Sequence, residues 1–383
     1  MRILSLLDQD LYKFTMQSVV LFEVPRVEVE FKFKCRNVGI DFRPMYDEIC
    51  AEIDDLERMT FQEDELQFLS NLRFIKPAYV DFLETFRLNP RKYVRTTLNG
   101  KDLDITIRGP WVQTIMFEIF VLSIVNEIYF ERQNVDLEVA RKKLDSKIKT
   151  IQELNDPKFK FSDFGARRRY SRNWHYNVCH TLKTQVPQNF IATSDVCFAK
   201  ALGIMPIGTM AHEFICAFQS LVRVKDSQKE AFQVWCNHYR GDLGIALTDT
   251  INIDAFLRDF DLYFAKLFNG VRHDSGDIDV FTEKVISHYK KLGIDPLTKS
   301  IVYSDGLTVD KAIEVFKKYN HRIGTSFGIG TNLTNDTNIP PLNIVIKMVK
   351  CDGHPVAKIS DASGKTMCED EVYVNYLKSQ FGI

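Results

Sequence analysis

Residues 205–214 read MPIGTMAHEF, a short apolar run that meets a glycine before a His–Glu pair opens a helix-like pattern. His212 belongs to a series of polar residues that follow short apolar runs. The others are Ser194 and Asp195, Glu213, Asp249, the group Arg272, His273, Asp274 and Asp277, then Asp305 with Gly306, and Gly328 with Gly330. Taken singly, each has an ordinary explanation. An Asp before a helix is a cap, worth about 1 kcal/mol, and a lone His beside an apolar run is a hydrogen-bonded core residue. Together they describe phosphate and sugar chemistry. Gly306, Gly328 and Gly330 let backbone N–H groups approach an anion at a helix start. Asp249 and Asp274 can accept from ribose hydroxyls or hold Mg2+, and Arg272 offers a planar fork for phosphate or carboxylate. GIGTNL at 328–333 lacks the third glycine of a dinucleotide fingerprint, which excludes that reading.

A second cluster lies upstream, in SDFGARRRYSRNW at 162–174. It holds Arg167, Arg168, Arg169 and Arg172, with His175 just beyond. This is either a solvated basic face or an anion clamp, with Phe164 beside it as a flat surface for an aromatic ring.

The elements that must position these residues follow from periodicity. From about residue 187, six short apolar strands recur, each ending in polar or glycine residues and each followed by a helix-like pattern. Strand–loop–helix repeats of this kind predict parallel β/α units. Six units predict a closed or nearly closed barrel, with an open doubly wound sheet as the alternative. In a barrel, the loops leaving the C-terminal ends of the strands build the site. The N-terminal third has α+β character. VEVEFKFKCR at 27–36 alternates Val27, Val29, Phe31 and Phe33 against Glu28, Glu30, Lys32 and Lys34, which predicts a half-exposed antiparallel strand. LNIVIKMVKCDGHPVAKISD at 342–361 predicts a hairpin about Asp352–Gly353 that rejoins the first domain or seals the barrel.

The chain has 383 residues, enough for two domains, with 45% hydrophobic and 26% charged residues and a formal net charge of −1. Nothing global points to nucleic acid or to an anionic membrane. WVQTIMFEIFVLSIVNEIYF at 111–130 has the length of a membrane span. Gln113, Glu118, Asn126 and Glu127 are costly in lipid, so a long buried helix after Pro110 is expected instead. The eight scattered cysteines form no C-x-x-C pair and no zinc-finger spacing, so reduced, mostly buried thiols in a cytoplasmic protein are expected.

The segments DQDLYKFTMQ, SDFGARRRYSR, GTMAHEF, LGIALTD, RHDSGD, SFGIGTNLTND and LNIVIKM together resemble the nicotinate phosphoribosyltransferases, nearly end to end. The resemblance implies an α/β fold: an irregular (β/α) barrel, about residues 136–341, with an α+β domain built from 1–135 and about 342–383. It implies condensation of nicotinate with phosphoribosyl pyrophosphate to nicotinate mononucleotide and pyrophosphate, in NAD biosynthesis. ATP is the co-substrate and Mg2+ the metal. It implies a homodimer with shared sites and a cytoplasmic enzyme that engages neither nucleic acid nor membrane. His212 falls on the histidine that the family phosphorylates. Phe164 falls on one side of the sandwich around the pyridine ring, and Tyr12 on the other, contributed by the second subunit. Arg167 and Arg272 fall on anion-binding positions, Asp249 and Asp274 on acids near the ribose and Mg2+, and Gly306, Gly328 and Gly330 on the 5′-phosphate cradle.

One position departs from the family pattern. Where the family reads G-T-S-N, this chain reads ATSD at 192–195. Ser194 is kept, which favours a carboxylate substrate over nicotinamide. Asp195 either repels nicotinate or caps the following helix, and the cap is the expected place for its side chain. The same chemistry on nicotinamide, and a catalytically silent nucleotide sensor, are the rival readings.

Overall fold

The computed structural model describes residues 2–361, 368 and 370–383. Seven short strands form a parallel sheet: β4 (Phe161–Asp163), β5 (Phe190–Thr193), β6 (Met205–Pro206), β7 (Ile245–Leu247), β8 (Gly270–His273), β9 (Ser300–Tyr303) and β10 (Gly324–Ile329). Their order is β6-β5-β4-β10-β9-β8-β7, and every pairing is parallel. The sheet curls into a half-barrel whose edges are β6 and β7. Closure is replaced by side chains at this seam. Thr209 Oγ1 donates to Ile245 O at 3.0 Å, and Thr15 Oγ1 donates to Thr209 O at 2.6 Å.

The sequence pattern anticipates six of these strands and omits β4. The lysines before it and the arginines after it mask the strand. Yet β4 is central, between β5 and β10, and all three of its residues are buried.

A second, antiparallel sheet joins both ends of the chain. It comprises β1 (Glu28–Cys35), β2 (Val94–Asn99), β3 (Asp102–Pro110), β11 (Ile344–Cys351) and β12 (His354–Pro355), in the order β12-β11-β1-β3-β2. The alternation in β1 is realised: Val29, Phe31 and Phe33 are buried, and Phe31 sits opposite Ile107 on one side and Met348 on the other. The β11–β12 turn places Asp352 at φ 46° and Gly353 at φ 78°. Two successive residues at positive φ are what a two-residue hairpin of this twist requires.

The apolar segment after Pro110 runs from Trp111 to Glu131 as two helical pieces, Trp111–Thr114 and Phe117–Glu131, and is almost wholly buried in the core. Its polar residues have internal partners. Ser123 Oγ donates to Ala166 O at 3.1 Å, Asn126 Nδ2 to Arg169 O at 2.6 Å, and Glu127 accepts from Arg169 Nε at 2.7 Å. Positions 123, 126 and 127 share one helix face. That face grips the turn carrying the arginine cluster. One hydrophobic core runs continuously between the two sheets, and a small second cluster forms around Ile251, Ile359, Leu377 and Phe381. Cys179, Cys216 and Cys351 are buried, whereas the other five cysteines are half-buried rather than enclosed.

Candidate active site

The strand ends of the half-barrel open into a cavity of about 240 Å3. Of the residues to which the family resemblance gives a role, Tyr12, Phe164, Arg167, Ser194, His212, Arg272, Asp274, Gly306 and Gly330 line it. Asp249 and Gly328 do not line it; each stands behind a residue that does.

His212 is the first residue of the His212–Leu221 helix, at its positive end, and is 6% exposed. Its Nε2 lies 2.7 Å from Asp249 Oδ1 and 3.7 Å from Asp274 Oδ2. Asp249 Oδ2 accepts from Ser275 Oγ at 2.6 Å and from Lys358 Nζ at 2.7 Å, so both carboxylate oxygens are committed. Burial works against the Asp249 charge, but His212 and Lys358 hold its carboxyl well below the usual range. Burial, reinforced by the Lys358 ammonium, brings His212 down to about 4. The imidazole is therefore neutral near pH 7. With Nε2–H donated to Asp249, the lone pair falls on Nδ1. Glu213 points away from the ring and accepts from Lys13 Nζ at 2.8 Å.

Asp274 leaves the end of β8. Ser304 Oγ donates to its Oδ1 at 2.9 Å, while Arg272 Nη2 lies 3.5 Å from its Oδ2. Arg272 Nη1 also donates to Met210 O at 3.3 Å, which ties β8 to the segment before His212.

The arginine cluster divides. A single 3-10 turn, Ala166–Arg168, sends Arg167 and Arg168 to the cavity wall. Arg169, extended beyond that turn, is fully buried and ion-paired with Glu127 and Asp8, and Arg172 pairs with Asp8 at 2.6 Å. His175 is also buried, with Nε2 2.6 Å from Asp163 Oδ2. Only two of the five positions can clamp a ligand in the cavity.

Gly328 serves Phe164 rather than an anion. A Cβ at Gly328 would fall 2.3 Å from Cδ2 and Cε2 of the Phe164 ring. Gly306, at φ 57°, makes a left-handed turn at the rim, and the cavity wall continues through Leu307 and Thr308 towards the Val309–Tyr319 helix. Tyr12 lines the cavity of its own chain. This differs from the expectation of a tyrosine delivered by a second subunit: the Leu11–Glu23 helix is held against β5 of the same chain, with Leu11 N donating to Ser194 O at 2.8 Å.

Several wall residues escaped the sequence reading. Lys347 and Lys358 come from the C-terminal hairpin region, Glu118 from the apolar helix, and Asp10 from the N-terminal segment. The available signal was a charged residue inside an otherwise apolar run, as in NIVIKM and PVAKIS. Burial, with Lys358 and Arg167 nearby, brings the Lys347 ammonium down to about 8 against the pull of Glu118.

Asp195 caps the Val196–Leu202 helix, accepting from Phe198 N at 2.9 Å, and faces away from the cavity. Its Oδ2 has no hydrogen-bond partner and lies 3.6 Å from Arg169 Nη1. Burial, with Asp8 close by, holds this carboxyl well above its usual range despite Arg169. The folded protein thus keeps a proton that the unfolded chain releases. Stability from this group is complete below about pH 4 and is lost as pH rises through the folded value. Asp195→Asn is expected to raise stability at neutral pH by about 1 kcal/mol and to flatten the decline of stability with rising pH. Thermal unfolding midpoints measured against pH check this, and an unchanged slope would mean that Asp195 is ionised in the fold.

Comparison with known proteins matches this architecture. The nicotinate phosphoribosyltransferase (NAPRTase) family profile matches residues 159–383, and the NAPRTase N-terminal domain profile matches residues 7–126. A nicotinate phosphoribosyltransferase of Acidovorax sp. (strain JS42) is 51% identical over 395 aligned positions, covering 100% of this chain and 99% of the relative. One from Xanthomonas euvesicatoria pv. vesicatoria (strain 85-10) is 49% identical, covering 99% and 97% respectively. The crystal structure of nicotinate phosphoribosyltransferase from Vibrio cholerae superposes with a TM-score of 0.96 at 37% identity, covering 100% of this chain and 94% of that one. With both profiles spanning nearly its whole length and close relatives matching end to end, the chain belongs to the nicotinate phosphoribosyltransferase family.

Proposed function

We propose that the protein condenses nicotinate with phosphoribosyl pyrophosphate, giving nicotinate mononucleotide and pyrophosphate, and couples this to ATP through a phosphohistidine at His212. The observation that carries the reading is that one cavity gathers two unlike sets of groups. The rings of Phe164 and Tyr12, with the Arg167 guanidinium, suit a flat base bearing a carboxylate. Arg272, Lys347, Lys358 and the Gly306 and Gly330 backbone suit phosphates.

In the condensation, the pyridine nitrogen lone pair forms the bond to the anomeric carbon. The carbon–oxygen bond to pyrophosphate breaks, and the leaving group takes that electron pair. The pyridine nitrogen carries no proton, so no general base is needed. The protein contributes positioning and electrostatic stabilisation: cations around the leaving group, and acids beside the positive charge that develops on the ribose. In the coupling step, His212 Nδ1 forms a bond to the γ-phosphorus of ATP and ADP departs with the bridging oxygen. Asp249 holds the ring through Nε2–H, so the sequence-based placing of Asp249 at the ribose gives way to an orienting role. Water later cleaves the N–P bond and resets the site.

Asp274 fits Mg2+. It offers a hard carboxylate at the wall, and Mg2+ combines one or two carboxylates with waters and phosphate oxygens. Ligand atoms of His212, Asp249 and Asp274 lie within 4.8 Å of one another, but Asp249 already accepts from His212, Ser275 and Lys358, which leaves Asp274 as the freer carboxylate. Bound there, the ion would neutralise pyrophosphate charge. A homodimer is compatible with this reading, but Tyr12 gives no reason for one.

Steady-state assays with each base test the substrate. Nicotinate is expected to be turned over, and equal efficiency with nicotinamide would defeat the assignment. Gly328→Ala is expected to displace the Phe164 ring and raise KM for nicotinate about ten- to a hundredfold, while KM for phosphoribosyl pyrophosphate stays within about threefold. Equal rises in both constants would remove Phe164 from base binding.

A further inference from the structure

Asp10 and Ser194 form a pair that the reaction above leaves without a role. Ser194 Oγ donates to Asp10 Oδ1 at 2.5 Å. The residues are 3% and 4% exposed, and both line the cavity with Phe164, Tyr12 and Arg167. Their backbones are locked together by the Leu11 N to Ser194 O hydrogen bond and by a β-bridge between Asp10 and Asp195. In this arrangement the Ser194 hydrogen is spent on a carboxylate, and the hydroxyl has only lone pairs left to offer a ligand. That suits an amide N–H2 and opposes a carboxylate. Moreover, a nicotinate carboxylate bound at Ser194 would meet the Asp10 carboxylate through one shared hydroxyl. Two carboxylates sharing a site do not both stay ionised.

We propose that nicotinate binds together with one proton, taken up from solvent by Asp10, whose carboxylic acid then donates to Ser194 Oγ while Ser194 donates to the substrate carboxylate. The inference rests on the nicotinate reading and names Asp10 as the residue through which the site reads the charge of its base. The only bond made is the new O–H on Asp10. It reverses the direction of the Asp10–Ser194 hydrogen bond and gives each oxygen pair one hydrogen.

The surroundings of Asp10 favour proton uptake there rather than elsewhere. The charged and titratable groups facing it are Arg167, Asp163, Glu118, Tyr12 and Asp195. Burial holds the Asp10 carboxyl above its usual range, with Asp163 and Glu118 adding to the shift and Arg167 opposing it. Glu118 keeps its charge on Lys13 at 2.6 Å, and Asp163 on His175 at 2.6 Å. Burial keeps the Tyr12 phenol protonated, and Asp195 lies outside the cavity. Nicotinamide brings no charge, and its binding needs no proton.

The test is the pH dependence of KM for nicotinate between about pH 6 and pH 9, in wild type, Asp10→Asn and Asp195→Asn. In wild type, KM for nicotinate is expected to rise about tenfold per pH unit above the Asp10 titration, without a parallel rise for phosphoribosyl pyrophosphate. In Asp10→Asn the amide N–H2 donates to Ser194 Oγ at every pH, so KM for nicotinate should stay flat. Asp195→Asn should keep the wild-type slope. Calorimetric titration with nicotinate in two buffers of different ionisation enthalpy should report uptake of one proton by wild type and none by Asp10→Asn. A flat wild-type profile, a slope that persists in Asp10→Asn, or a slope lost in Asp195→Asn would each overturn the inference while leaving the nicotinate activity standing. Absence of any nicotinate turnover by wild type would remove the substrate reading, and this inference with it.

Discussion

His212→Asn is expected to abolish ATP-dependent phosphorylation of the protein, and with it any stimulation of turnover by ATP. Charge decides first. An imidazole with an ordinary value near 6.5 is partly protonated at neutral pH, and a protonated ring has no nucleophilic lone pair. Burial brings His212 down to about 4, so the lone pair is present throughout the physiological range. The tautomer comes next: Asp249 at 2.7 Å takes the Nε2 hydrogen and leaves Nδ1 as the nucleophile. The helix N-terminus then favours the phosphate dianion once it is attached. Incubation with γ-labelled ATP should give an acid-labile, alkali-stable adduct in wild type and none in His212→Asn. The labelling rate should stay level from about pH 8 down to about pH 5, where an ordinary histidine would already have lost its lone pair. Asp249→Asn should label more slowly, because an amide can stabilise either tautomer. A wild-type protein that forms no adduct would end the phosphohistidine mechanism for this chain.

How much of this was legible in the sequence depends on whether a residue's surroundings are local. The β1 alternation could be read because one face meets the core and the other meets solvent over eight residues. The hairpin at Asp352–Gly353 could be read because its backbone requirement lies in the two turn residues themselves. The Trp111–Glu131 segment could be read as core because its polar residues are incompatible with lipid, but the face that binds 166–169 depends on a partner 43 residues away. The four arginines at 167–172 show the limit most clearly. They are alike in sequence and are sorted only by local backbone: a 3-10 turn sends Arg167 and Arg168 to the cavity, the extended residue after it sends Arg169 into the interior, and Arg172 opens the next helix, where it pairs with Asp8. Gly328 is a similar case. A glycine needed for backbone approach to an anion and one needed for the nearby Phe164 ring look the same until the ring is placed.

The largest loss of stability is expected from Lys13→Met. Lys13 is fully buried, and its ammonium lies 2.6 Å from Glu118 Oε2 and 2.8 Å from Glu213 Oε2. Burial works against its charge, but the two glutamates hold the ammonium above its usual range. Methionine fills similar volume and removes the cation, leaving two buried carboxylates facing each other. Breaking a buried ion pair from one side costs about 3–5 kcal/mol, which is a large share of the stability of a typical protein. The loss should depend on pH. Without Lys13 the pair loses its nearest cation, so the Glu118 carboxyl is driven up, the already raised Glu213 carboxyl is driven further up, and stability falls further as pH rises. Urea midpoints at several pH values check both the size and the slope. Adding Glu213→Gln to Lys13→Met removes one of the orphaned charges and should recover part of the loss, as a double-mutant cycle would show. Because Glu118 also stands 3.7 Å from Arg167, the destabilised variant should bind the base poorly even where it remains folded. A Lys13→Met protein as stable as wild type would mean that the two glutamates already share a proton and that Lys13 is not their counter-ion.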